Sequence, residues 1–126
     1  MEVLGMEIIY RYSRAQAIED GVLVDVSDVA REAGFQFPVA LTQAVWAEYV
    51  AVPDGVKWQD ESGRLWDILW MLRDAISKSG GEPELQFSLH VNNSNTWGAK
   101  TVELKAVCGP GDDGEPVITV MLLDED

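Results

Sequence analysis

The chain has 126 residues, of which 47% are hydrophobic and 25% charged, and it carries a formal net charge of -13. That is enough apolar material for one core and it excludes a disordered chain. Only 9 Lys and Arg stand against 22 Asp and Glu. The acids run through both halves, so no basic stripe offers to replace the counterions of a nucleic acid or to seek an anionic membrane.

The chain order reads as helices first and strands last. "SRAQAIEDG" places Ser13 as an N-cap and Gly21 as a stop. "VLVDV" is a short β-branched run, either a strand or an extended connection. In "SDVAREAGF" Ser27 reads as the cap, Asp28 suits the positive helix start and Gly34 ends the turn. Pro38 holds the following segment extended, and "FQFPVALT" reads as a long apolar turn. "LTQAVWAEYV" predicts a third short helix capped by Thr42.

The longest helix is predicted from about Ser62 to Ser79, with Leu65, Ile68, Leu69, Leu72, Ala75 and Ile76 on one stripe. Trp66, Trp70 and Met71 widen that stripe, which predicts burial on more than one side, between a sheet and the shorter helices. Three strands follow. "ELQFSLHVN" alternates with Leu85, Phe87, Leu89 and Val91 inward, and "TVELKAVC" with Val102, Leu104, Ala106 and Cys108 inward. "VITVMLL" is apolar on both faces, so both should be covered. Short connections between them imply an antiparallel meander. The predicted fold class is α+β: short N-terminal helices, one long central helix, then a three-stranded meander packed on it. It forms a single domain over 1–126, with a helical part to about 80 and strands over about 84–123.

Reactive constellations are scarce. The chain has one cysteine and one histidine, Cys108 and His90, which suggests a nucleophilic dyad. Strand parity puts the two on opposite faces, which argues against it. They are too few for a zinc site, and neither acidic loop fits a calcium-binding register, so no metal or cofactor is expected. "GPGDDG" lacks the lysine of a phosphate loop, and its carboxylates would repel the ligand. "SDVAREAGF" resembles the first half of a helix-turn-helix, but the next helix carries Glu48 and no base. Asp20, Asp25 and Asp28 remain as scattered acids for a minor hydrolase or transferase alternative.

The five tryptophans are the least ordinary feature. Trp46, Trp66 and Trp70 read as core and Trp58 as a lid over it. Trp97, in an Asn-rich hairpin loop, is the best candidate for a partner anchor. The candidate partner-binding set is Trp97, Asn93 and Asn95, with Asp112, Asp113 and Glu115 in the second hairpin.

The stretches "IIYRYSRAQAIEDGVLVDVS", "RLWDILWMLRDAI" and "KAVCGPGDDGEPVITVMLLDED" resemble an uncharacterised family of small acidic proteins from bacterial plasmids, integrative elements and phages. The resemblance implies a bacterial, mobile-element setting and no catalytic residues. It also places the family's usual start near Met6. A lone cysteine and the lack of a basic-then-apolar leader point to the cytoplasm. The expected function is therefore non-enzymatic. An acidic surface would engage a basic protein, for instance as a nucleic-acid mimic that inhibits a host defence or DNA-processing protein. The alternative is an accessory protein that associates, with itself or a partner, through Trp97 and the outer sheet face.

Overall fold

The computed structural model describes residues 12–94 and 98–125. Helix α1, Arg14–Glu19, opens on a capping box. The Ser13 hydroxyl accepts from the Gln16 amide while the Gln16 side chain reaches back to Ser13, and Gly21 at φ 79° ends the turn. Strand β1, Leu23–Asp25, leads into α2, Ser27–Glu32. Ser27 does not cap α2 as expected. Asp25 accepts from the Ser27 amide and hydroxyl, while the Ser27 oxygen accepts from the Val39 amide at 3.1 Å. Ser27 thus ties the helix start to the next strand.

That strand is β2, Val39–Thr42, with Val39, Ala40 and Leu41 all fully buried. Thr42 then caps α3, Gln43–Val45, as expected, accepting from the Val45 amide. The helix widens directly into a π-helical turn, Trp46–Val50. Helix α4 spans Glu61–Ser77, with Asp60 accepting from the Gly63 amide at 2.6 Å. Strands β3, Glu84–Val91, β4, Lys100–Pro110, and β5, Pro116–Leu122, complete the chain.

Among the described residues the sheet has five strands in the order β1-β2-β5-β4-β3. The β3–β4 and β4–β5 pairs are antiparallel, and β2 lies parallel to β5 with Val39 opposite Ile118 and Leu41 opposite Val120. The three-stranded meander is therefore corrected to a mixed five-stranded sheet, two of whose strands come from the half expected to be helical. The physical reason lies in β2. A four-residue strand buried on both faces shows no polar–apolar alternation, and with Pro38 before it "FQFPVALT" reads as a turn. The Pro38 carbonyl in fact begins the ladder, accepting from the Ile118 amide at 2.9 Å. A strand after α2 also removes the helix-turn-helix arrangement.

The face parity of β3 and β4 is as expected, with Phe87, Leu89, Leu104 and Ala106 in the core. In β5, Val117, Ile118, Val120 and Met121 are all buried, so both faces are covered. Helix α4 lies across the inner face and buries Leu65, Ile68, Leu69 and Leu72. The π-helical turn also packs against it. Trp66, Trp70 and Met71 remain exposed, which corrects the expectation of a helix enclosed on several sides.

The β4–β5 hairpin closes with the Gly111 amide donating to the Glu115 carbonyl, and with Gly114 at φ 82°. Asp112 at its tip is an anchor for α1. Its two carboxylate oxygens accept from the Arg14 and Ala15 amides at 2.8 and 3.0 Å. This places a negative charge on amides that have no partner within the helix. Asp112→Ala should lower stability by about 1 kcal/mol, the usual scale for a lost N-terminal cap. Leu41→Ala, which empties the centre of the parallel pair, should lower it by about 2–5 kcal/mol. Urea denaturation of the two variants checks both values, and their order tests the buried placement of β2.

Candidate functional site

On its outward side α4 carries an aromatic ridge. Trp66 and Trp70 are one helical turn apart and stack, with ring centroids separated by 6.4 Å and planes inclined by 16°. The Arg73 guanidinium lies over the Trp70 ring, its carbon 5.5 Å from the centroid. Trp66 is 37% exposed and Trp70 50%. Together with Asp67, Met71, Leu89 and His90 these rings line a hollow of about 440 Å³ between α4 and β3. Aromatic rings packed on each other and partly open to water, with Asp67 and His90 beside them, have the composition of an interface anchor.

Below the ridge α4 is locked in place by Arg64, a cation only 6% exposed. Its guanidinium donates to the Tyr49 carbonyl at 3.1 Å, the Gln59 side-chain oxygen at 2.8 Å, the Asn92 carbonyl at 3.2 Å and the Asn93 side-chain oxygen at 2.6 Å. A longer contact of 3.5 Å reaches the Glu48 carbonyl. Every acceptor is neutral, and burial pulls the Arg64 pKa down from its ordinary value. The π-helical turn explains why two of these acceptors are free. Its closing bond runs from the Ala51 amide to the Trp46 carbonyl, leaving the Glu48 and Tyr49 carbonyls at the helix end for Arg64. One side chain thus joins α4, the π-helical turn and the end of β3. Sequence reasoning missed it, although Arg64 lies one turn before Ile68 on the apolar stripe, where a charged residue is a signal.

The expected site residues separate in space. Asn93 belongs to the Arg64 junction, accepting from Arg64 and donating to the Glu48 carbonyl at 3.2 Å. Asn95 and Trp97 lie outside the described residues. Asp112 caps α1, and the Glu115 carboxylate folds back to accept from the Asp113 amide at 3.0 Å. Of the tryptophans, Trp46 packs against the core as expected. Trp58 is 98% exposed at φ 69° and covers nothing, so it is not a lid.

Cys108 packs on the core side of the sheet, whereas His90 is exposed and shares a hydrogen bond with Thr101 across the strands, so the two do not meet. The scattered acids have separate structural partners: Asp20 accepts from Tyr12 at 2.6 Å, Asp25 from Ser27, and Asp28 from Arg31. Among the described residues no cluster of three or more His, Cys, Asp or Glu is placed to hold a metal ion. Also among them, no helix is long and apolar enough to cross a membrane.

A second hollow, about 580 Å³, opens where the α2–β2 connection meets the end of α4 and the start of β3. Phe35, Phe37, Ile76, Leu85 and Cys108 give it apolar walls, and Arg73 stands at its border with the ridge. Glu82 also lines it, and its apolar walls suit an apolar side chain.

The architecture and the site define a small α+β protein with a mixed sheet and an exposed aromatic helix face. The chain belongs to a family of unknown function (DUF6573), whose model matches residues 2–126. No curated protein and no solved structure matches it.

Arg64→Lys, which keeps the charge but loses the planar fork of donors, should lower stability by about 2–4 kcal/mol, because several buried acceptors lose their partner together. Trp66→Ala and Trp70→Ala should each cost no more than about 1 kcal/mol, since neither ring is in the core. Chemical denaturation of the three variants separates a fold-holding residue from a ridge kept for another purpose.

Proposed function

We propose that the protein is a non-enzymatic binding module that holds a basic protein on its acidic surface, with the stacked Trp66–Trp70 pair as the anchor. The observation that carries this reading is the ridge itself: two large, stacked aromatic side chains lie partly in water, outside the stripe that α4 buries. The net charge of -13 supports a basic partner through complementarity and steering. The stacking of Arg73 on Trp70 is an internal example of the contact a partner's Lys or Arg would make. The acids so far regarded as a site point the same way. Asp20, Asp25 and Asp28 each serve a nearby hydrogen bond, and Asp112 holds the start of α1, so each has a structural partner.

The resemblance to small acidic proteins of plasmids, integrative elements and phages supports a bacterial cytoplasmic setting and a mobile-element carrier. In that setting the basic partner would be a host defence or DNA-processing protein. Nucleic-acid mimicry is one form of this inhibition, with carboxylates occupying a phosphate-binding groove. The ridge supports a form in which aromatic anchoring and charge act together.

Affinity capture from host cytosol at low and high salt tests the reading. The expected result is a basic partner retained at low salt, released as salt rises, and lost at low salt from the Trp66→Ala, Trp70→Ala double variant. Retention that is insensitive both to salt and to the double variant would overturn it.

A further inference from the structure

Strand β3 is an edge of the sheet, and among the described residues nothing pairs with its outer side. Which backbone groups face outward follows from one hydrogen bond. The Cys108 amide donates to the Pro83 carbonyl at 2.7 Å, and the register continues Glu84 opposite Val107. In an antiparallel pair the bonded positions recur every second residue. Leu85, Phe87, Leu89 and Val91 therefore bond to β4, while Glu84, Gln86, Ser88 and His90 turn their amides and carbonyls to the free side. Asn92 checks this parity independently. Its carbonyl is outward in the same series, and it accepts from Gln59 at 2.7 Å and from Arg64, both on the side away from β4. The Arg64 junction thus closes the edge at Asn92 and leaves it open from Glu84 to His90.

An open edge of this length is a template for another strand, and proteins usually blunt such edges with proline, lysine or a bulge. From Glu84 to Val91 β3 has none of these: no proline or lysine stands in it, and its register with β4 is unbroken. The Trp66–Trp70 ridge, with Asp67 and Met71, rises beside the same edge.

We propose that β3 receives an extended segment of a basic partner by strand addition, in which residues facing α4 alternate with residues over the outer sheet face. This rests on the binding reading above and specifies its mode. The occupant is a strand of alternating apolar and Lys or Arg residues. Backbone bonds to Gln86, Ser88 and His90 supply register, and the hollow lined by Trp66, Asp67, Trp70 and Met71 takes every second side chain. Asp67 beside two aromatic faces favours a cationic head there. A second copy of the chain would bring another charge of -13 to the same edge, which disfavours self-pairing.

The probe is a blocked eight-residue peptide of alternating Lys and Val, with two companions: the same peptide N-methylated at alternate amides, and a Glu–Val version. Binding is followed by tryptophan fluorescence at low salt, and amide exchange by NMR. The Lys–Val peptide is expected to bind and to slow exchange at Gln86, Ser88 and His90 at least tenfold. Phe87 and Leu89, already bonded to β4, should change little. N-methylation and Trp70→Ala should each weaken binding at least tenfold, whereas Trp58→Ala should not. Trp70→Phe keeps a ring at the site and should restore most of the affinity, which separates lost contact from lost folding.

Equal binding of the N-methylated peptide, without slowed exchange, would overturn strand addition and leave the basic-partner reading standing. Absence of Lys–Val binding, or equal binding of the Glu–Val peptide, would overturn both. Slow exchange at Gln86, Ser88 and His90 in the free protein, together with a dimeric mass, would assign the edge to a second copy and overturn the proposal.

Discussion

The arrangement of this molecule depends on one buried cation that meets no anion among the described residues. Among the described residues Arg64 is held by carbonyl and amide oxygens, from the π-helical turn, Gln59 and the end of β3. Burying a guanidinium costs several kcal/mol unless each donor finds an acceptor. The site meets that condition with geometry rather than with charge. A carboxylate in the same place would hold Arg64 through one neighbour. Neutral acceptors spread over three segments require all three to be in position, so the side chain acts as a gauge of the correct assembly.

This constraint accounts for features that otherwise look unrelated. The π-helical turn exposes two carbonyls at its end, and Arg64 uses them. Asn93 contributes both ends of its amide, one to Arg64 and the other to the Glu48 carbonyl. With α4 fixed over β3 in this way, the helix can bury only one stripe, and the residues a quarter-turn away are left in water. The exposed ridge is a consequence of how α4 is anchored as well as of which residues it carries.

The sequence was legible where local physics decides. Ser13, Thr42, Gly21 and Gly34 mark helix ends because capping and positive φ are properties of short windows. The alternation of β3 and β4 gives their faces directly. It was illegible where partners distant in the chain decide. Strand β2 is recognisable only beside β5, since a strand buried on both faces has no period. The tryptophans show the same limit in the other direction. Trp66 and Trp70 sit within reach of an apolar stripe, and periodicity cannot say that the sheet and the π-helical turn leave their side of α4 exposed. For the candidate site, the Asn-rich and acidic loops drew attention by composition. Asn93 and Asp112 turn out to hold the fold together, while the ridge and the free edge come from topology.

Edge and ridge also bear on why so acidic a chain has use for its charge. A strand edge from Glu84 to His90 that nothing pairs among the described residues, beside exposed tryptophans, is a hazard at working concentration, because identical edges can pair and aggregate. A net charge of -13 opposes every encounter between copies and falls away when the approaching strand is basic. Under the proposed strand addition the same charge would do two things: keep the edge free of its own kind and select what reaches it. On that reading, acidity that looks like a general solubility device would become, next to a strand edge unpaired among the described residues, a rule about partners. Backbone bonds carry little sequence information, so the choice falls to the side chains around the edge. Here these are two stacked indoles with Asp67 on the same helix, an arrangement suited to a long side chain with an apolar stem and a cationic head.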